Sequence, residues 1–288
     1  MFTEGDTMIN IIGKLKYQSN LSEQEKALAD HILKHKEMVI YMNAEQLVDE
    51  ADASLSTLYR LCRKLKISGF SQFKTILASE INQELSQHKN VDYNKPFSKD
   101  DNLFDLTSNL GNLYRQSIDQ TLSLIDFKEL KECAKKIKNA RNIFLNTTHL
   151  NVSIAETFSM HLREIGINIH VLKETDQQRL LCSLSRKGDV AIILSYSGAS
   201  PYVQECIIEL YRNKADIILV SSNHNSKFRN YATHQLLLCS EEDKVQKITT
   251  FSSYISAQFI FDLLYSLLYQ ENYEYNFNNR KKHYMIKE

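Results

Sequence analysis

The chain has 288 residues, enough for two domains, and 43% of them are hydrophobic, enough to build sizeable cores. Basic and acidic residues balance at 35 each, so whole-chain charge singles out no partner and any nucleic-acid signal must be local. The five cysteines (Cys62, Cys133, Cys182, Cys206, Cys239) are scattered and never form Cys-x-x-Cys, which fits free thiols in a reducing cytoplasm and not a disulfide frame or a zinc site. The acidic opening MFTEGDTMIN has no apolar block behind it, so no signal peptide is expected. No run of about 18 apolar residues suggests a membrane span.

The first 85 residues read as helices. In LSEQEKALADHILKH, Leu21 to His35, the apolar residues recur at helical spacing, and Ser22 with Glu25 forms a capping box. NAEQLVDEA, Asn43 to Ala51, is a short helix capped by Asn43. A tight turn at Asp52 and Ala53 leads to SLSTLYRLCRKLKI, where Leu58, Leu61 and Leu65 mark one buried face. The chain turns again at Gly69 into another helix. Residues 86–102 are polar and aperiodic around the first proline, and read as a linker. Helical periodicity returns over 103–139, with a break near Asp126.

Beyond residue 140 the texture changes. Apolar runs of strand length (142–146, 168–172, 189–194, 216–220, 234–239) alternate with helical stretches (151–165, 175–185, 201–213, 250–270). Strands this apolar, separated by helices, predict a parallel sheet covered on both faces.

The segment Ala53 to Ser79 holds Arg60, Arg63, Lys64, Lys66 and Lys74 and no acidic residue, directly after an acid-rich stretch. A short helix, a tight turn and a second helix that opens Ser-Leu-Ser-Thr is the layout of a helix-turn-helix reader. Leu47, Leu58 and Leu61 hold the helices together. Ser54, Ser56, Thr57, Tyr59 and Arg60 stay available to the groove, and Arg63, Lys64 and Lys66 neutralise phosphates. A solvated basic face on a helical bundle is the plainer alternative. The stretch ADASLSTLYRLCRKLKISGFSQFK also resembles the signature of the RpiR family of bacterial transcriptional regulators, through Ala53, Ser54, Ser56, Thr57, Arg60, Lys64, Leu65, Gly69, Phe70, Phe73 and Lys74. It departs at Lys66 and Asp52, where that family commonly has glycine. Asp tolerates the left-handed conformation better than most residues.

One loop carries a ligand signal of its own. The run AIIL, Ala191 to Leu194, empties into Ser195, Tyr196, Ser197, Gly198, Ala199, Ser200 and Pro201. Hydroxyls cluster there, Gly198 permits close backbone approach, and Pro201 suits the first turn of a helix whose free N–H groups favour an anion. A phosphate monoester fits these donors at the carboxyl end of a parallel strand. No lysine or arginine lies within the loop; hydroxyls and amides hold phosphate without one. A serine-capped turn is the alternative. The RpiR resemblance implies a C-terminal sugar isomerase (SIS) domain, of which SYSG is a motif. It also implies a first phosphate loop, whose glycine positions fall here on Thr147 and His149 and whose serine position falls on Asn151. Thr147, Thr148 and Asn151 still offer hydrogen bonds. Ser253 matches the serine of the family's last helix, and the 221–228 loop matches its Ser/Asn-rich turn.

The resulting expectation is an all-α helix-turn-helix domain (1–85), a linker (86–102), an α/β SIS domain with a five-stranded parallel sheet flanked by helices (103–275) and a basic tail (276–288). The function it implies is a cytoplasmic regulator of sugar-metabolism genes. Such a protein binds a double-stranded DNA operator, senses a phosphorylated sugar and assembles as a homodimer or homotetramer, with no cofactor, metal or membrane. Glu156, His149 and His224 are candidate bases for the runner-up, a SIS isomerase. A regulator whose degenerate SIS domain only dimerises is the third reading. The pair His31 and His35 lacks a flanking acid motif and is read as surface.

Overall fold

A computed structural model describes residues 10–18, 20–86, 89–197, 201–222, 228–239 and 241–285. The chain divides into two compact units. One comprises the residues up to Val91 with Lys95–Asn112; the other comprises Asp92–Asn94 and everything from Leu113 onward.

The first unit is helical: α1 (Ile11–Tyr17), α2 (Glu23–Lys34), α3 (Lys36–Val39), α4 (Ala44–Glu50), α5 (Leu55–Lys64) and α6 (Phe70–Ser86), joined by the start of α7 (Leu103–Ser123). Side chains chosen by the local sequence satisfy the free amides at the helix starts. Ser22 with Glu25, and Asn43 with Gln46, form complete capping boxes, and Ser54 accepts the Thr57 amide. Periodicity marks neither α1 nor α3. Glu80 of α6 caps α1 from a distance, its carboxylate accepting the Ile11 and Ile12 amides at 2.5 and 2.8 Å. The core is a single cluster that includes Leu28, Ile32, Leu47, Leu58, Leu61, Phe73 and Leu77.

In the second unit, α7 continues to Ser123 and α8 (Phe127–Asn139) is capped by Asp126. Then follow β1 (Ile143–Asn146), α9 (Asn151–Glu164), β2 (His170–Leu172), α10 (Thr175–Leu184), β3 (Val190–Leu194), α11 (Pro201–Arg212), β4 (Asp216–Ser221), β5 (His234–Leu237), α12 (Phe251–Gln270) and α13 (Tyr273–Met285). The strands form one parallel sheet in the order β2-β1-β3-β4-β5. Alternation along β3 serves both faces. Val190, Ile192 and Leu194 enter the core with α8, α9 and α12, while Ala191 and Ile193 enter a second core with α10 and α11.

Three parts of the sequence-based picture change. The basic tail is the body of α13, which starts before residue 276; Asn276 is buried and donates to the Tyr269 carbonyl at 3.0 Å, and Arg280 faces Glu164 at 3.8 Å. The polar 86–102 stretch is anchored at its middle. Tyr93 is buried there, and Asn94 bonds to Asp243 and Ile248 just ahead of α12. Finally, α12 is 20 residues long and apolar enough to cross a membrane by length and composition, yet Ala257, Ile260, Phe261, Leu264 and Leu268 bury one side of it in the sheet core.

Candidate functional site

The helix-turn-helix face is built from α4, a four-residue turn and α5. Ser54, Ser56, Tyr59, Arg60, Arg63, Lys64 and Lys66 are all exposed on it. Thr57 is the correction: it is 1% exposed. Its Oγ1 lies 2.9 Å from Ser54 Oγ and accepts Arg60 Nη2 at 3.2 Å, so it aims an arginine instead of meeting a groove. Lys64 is also committed, to Glu25 at 2.6 Å and to the Asn20 carbonyl at 2.7 Å. Lys74 donates to the Met42 carbonyl at 2.8 Å and lies over the Phe70 ring. Leu55, 40% exposed at the start of α5, is an outward apolar contact that charge reasoning passed over.

Glu25 is the hidden organiser of this face. It is almost fully buried on α2 and touches both Arg60 (3.9 Å) and Lys64 of α5. Burial pushes its carboxyl up, but the Lys64 ammonium and the Ser22 amide and hydroxyl outweigh that and leave it below its ordinary value.

The second site is a cavity of about 440 Å³ over the carboxyl ends of β1 and β3. In a 2-1-3-4-5 sheet these strands are neighbours whose following helices leave on opposite faces, which opens a crevice between their loops. Thr147, Thr148, Asn151, Ser195, Tyr196, Ser197 and Ser253 all line it, as does His149. Gly198, Ser200 and His224 lie outside the described residues. Glu156 does not line the cavity and pairs with Lys173, which removes it as a base there.

Not every lining hydroxyl faces a ligand. Thr147 is 3% exposed and donates to the Leu194 carbonyl at 3.1 Å, tying the β1 loop to β3. The Tyr196 hydroxyl bonds to the main chain of Glu242 in both directions at 3.1 Å, and burial followed by the Glu242 charge pushes its pKa up. Ser253 gives its amide (2.8 Å) and hydroxyl (2.9 Å) to the buried Glu242 carboxylate, which also receives Lys247 at 2.9 Å. Ser195, Ser197, Thr148, Asn151 and Thr250 complete the hydroxyl and amide lining.

Lys244 and Lys247 were not anticipated at this site; they arrive from the strap ahead of α12, about fifty residues from the serine loop in sequence. Lys244 is exposed and makes no ion pair among the described residues. Among those residues the cavity lining holds two lysines and no aspartate or glutamate.

Comparison with known proteins agrees with both halves. The rpiR-family helix-turn-helix domain model matches residues 8–84, and the SIS domain model matches residues 136–267. The chain belongs to the rpiR family. An uncharacterized HTH-type transcriptional regulator of Haemophilus influenzae is 29% identical over 263 residues, spanning 91% of this chain and 90% of that protein. Among solved structures, the Vibrio vulnificus NanR protein complexed with ManNAc-6P covers 96% of this chain and 97% of its own, with a TM-score of 0.58 at 20% identity. The sugar isomerase domain of an RpiR transcription factor from Sphaerobacter thermophilus covers 59% of this chain and 92% of its own, with a TM-score of 0.52 at 14% identity. This rpiR-family protein is thus a transcriptional regulator with a helix-turn-helix and a SIS domain.

The rpiR departures now acquire a backbone meaning. Asp52, Lys66 and His149, all at family glycine positions, adopt φ of 47°, 63° and 58°. Thr147, the fourth such position, is not in the left-handed region. The loop after β1 therefore keeps the conformation a glycine would favour at one of its two substituted positions.

Proposed function

We propose that this rpiR-family regulator binds operator DNA as a dimer through α5, and that a phosphorylated sugar entering the SIS cavity changes that binding. The observation that carries the ligand half is the lining of the cavity: hydroxyls and amides, two lysines and no carboxylate among the described residues. A dianionic phosphate placed against Ser195, Ser197 and the start of α11 gains donors and the positive end of a helix dipole. Thr148 and Asn151 face it from the β1 loop, and Lys244 adds an uncommitted charge at the rim. The cavity volume, about 440 Å³, falls within the range of ordinary small-molecule sites. A cytoplasmic location follows from the DNA partner.

Titration calorimetry with a panel of sugar phosphates tests this. ManNAc-6P, the molecule in the NanR structure, is a natural first probe. Ser197→Ala is expected to weaken binding by about ten- to a hundredfold, the net value of one charge-assisted hydrogen bond. Operator binding without effector is expected to survive that change. If no sugar phosphate binds, or if Ser197→Ala binds as tightly as the parent, the cavity is not a sensor and the SIS domain only assembles the protein. The isomerase alternative would require a base in the cavity; His149 is the one imidazole lining it among the described residues. Turnover of a bound sugar phosphate that His149→Ala abolishes would favour that reading.

The DNA half rests on the exposed hydroxyls and arginines of α5. Arg60→Ala is expected to weaken operator binding strongly, and Lys66→Ala weakly and without regard to sequence. A truncated protein lacking residues 1–80 that shifted the same operator equally well would overturn it.

A further inference from the structure

Of the five cysteines, three answer chiefly to burial, and Cys239 also donates to Gln120 Oε1 at 2.8 Å. Burial pushes the Cys62 thiol up to about 11, and raises Cys133 and Cys239 as well. Cys182 of α10 and Cys206 of α11 differ, because they belong to one buried cluster on adjacent helices. They line one cavity together on the outer side of α10 and α11, and Cys206 also lines the SIS cavity. Both thiols are therefore buried by neighbouring side chains, yet reached by small molecules from open space.

The surroundings divide the two sulfurs into unlike roles. Asn146 Nδ2 donates to Cys182 Sγ at 3.2 Å. Cys206 is the thiol that ionises first: the neighbouring Cys182 thiol lowers it, burial opposes this, and the Arg179 charge lowers it further. Arg179 lies over the Tyr202 ring at 5.6 Å and pairs with Glu205. A thiolate that shares a cavity wall with a second thiol is an attacking sulfur with a resolving sulfur at hand.

The geometry points to Cys182 and Cys206 as a peroxide-reactive dithiol between α10 and α11, with Cys206, which also lines the SIS cavity, as the attacking and Cys182 as the resolving sulfur. Cys206 sulfur attacks one peroxide oxygen, and the O–O bond breaks. The departing hydroxide takes a proton and leaves as water, and Cys206 becomes a sulfenic acid. Cys182 sulfur then attacks the Cys206 sulfur, the S–O bond breaks, and the hydroxyl leaves as a second water with the Cys182 proton. Two thiols are oxidised, one peroxide is reduced, and the product is a disulfide. It fastens α10 to α11 beneath the ligand site. Asn146, Gln178 and Tyr202 line the SIS cavity with Cys206. The Gln178 amide holds the Thr147 and Leu172 carbonyls (2.9 and 2.8 Å) and accepts the Tyr202 hydroxyl at 2.7 Å, so any shift of either helix reaches the β1 loop.

The test uses the full reduced chain, hydrogen peroxide, an alkylating quench and peptide mapping without reduction. A Cys182–Cys206 disulfide is expected to form on the order of tenfold faster than Cys62, Cys133 or Cys239 is lost, since a larger thiolate fraction is partly offset by lower intrinsic nucleophilicity. Cys182→Ala is expected to abolish the cross-link and leave a dimedone-reactive sulfenic acid on Cys206. Cys206→Ala is expected to leave Cys182 unoxidised. The unmodified protein alone suffices for the mapping if a variant fails to fold. Oxidation of the other cysteines at an equal rate, a pair that stays reduced, or a sulfenic acid on Cys182 in Cys206→Ala would each overturn the proposal. None of these readouts involves a sugar phosphate, so the result is independent of the ligand assignment.

Discussion

Asp52 and Lys66 show how much a single backbone angle explains. Each follows a helix as its first residue past the cap, and each closes the same motif. Ala53 N–H reaches the Val48 carbonyl behind Asp52 at 2.8 Å, and Ile67 N–H reaches the Cys62 carbonyl behind Lys66 at 2.9 Å. That motif demands the left-handed region, which is why glycine suits both places. The penalty differs with the residue. A lysine there carries roughly 1–2 kcal/mol of steric strain, and an aspartate less, because its short side chain bonds locally. Glycine removes the strain but adds about 0.5–1 kcal/mol of lost chain entropy. Lys66→Gly is therefore expected to raise the stability of the helix-turn-helix unit by up to about 1 kcal/mol, and Asp52→Gly to leave it within about 0.5 kcal/mol. Denaturant midpoints at unchanged m-value measure both. Lys66→Gly is expected to weaken DNA binding at the same time, since it deletes an exposed charge. A loss of stability in Lys66→Gly would show that the lysine stem packs to advantage.

At the scale of elements, most of the fold is legible because its signals are local. Hydrophobic period, Ser22, Asn43 and Asp126 caps, and the apolar runs of β1 to β5 each sit within a few residues of what they specify. What escapes is specified across the chain. Nothing near α1 announces that Glu80 caps it, and nothing near the serine loop announces Lys244 and Lys247. Glu25 is legible as half of a capping box, yet its larger role is to hold α5 through Lys64 from 39 residues away. The Gly-poor first phosphate loop was legible as a departure, but not that Thr147 would turn inward. Glu25 also makes the first unit sensitive to acid. Its carboxyl is held below the unfolded value, so the ionised pair stabilises the fold above that value and the contribution disappears as pH falls through the folded one. Asp189 behaves likewise in the second unit: burial raises it, but Arg141, Asn142 and the Arg186 amide together lower it further. Glu25→Gln is expected to cost about 1.5–3 kcal/mol at neutral pH and to flatten the acid dependence below roughly pH 4.5. Urea midpoints across pH for parent and variant check this, and an unchanged acid slope in the variant would remove Glu25 as its source.

At the scale of the molecule, the question is what an assembled regulator presents to DNA. The apolar side chains of α12 divide in their burial. Leu268 belongs to the sheet core, and Phe259, Leu263 and Leu267 are half-buried. Outward-facing apolar side chains in the SIS unit include Leu122, Phe127, Leu150, Met160, Leu180, Leu184 and Val245. Several large apolar groups left in water are a reason to associate. A symmetric dimer doubles the number of recognition helices and so sets the form of the operator: two half-sites related by a dyad, with centres one helical turn or a multiple apart. It also sets the salt response. Lys64 is held tightly by Glu25, while Arg60, which reaches the same carboxylate at 3.9 Å, stays exposed, so each protomer offers Arg60, Arg63 and Lys66 as the exposed cations of the α5 face. A dimer then neutralises about six phosphates, for a slope of log K against log salt near −5, and Lys66→Ala lowers its magnitude by about two. Arg60→Ala differs in kind, because Thr57 aims that guanidinium; it is expected to reduce discrimination between operator and random duplex as well as affinity. Sedimentation equilibrium at micromolar protein, together with fluorescence anisotropy on palindromic and half-site duplexes over a salt series, measures every term. A monomer that binds a half-site as tightly as the palindrome, with a slope near half the dimer value, would contradict the dimeric reading while leaving α5 as the reader.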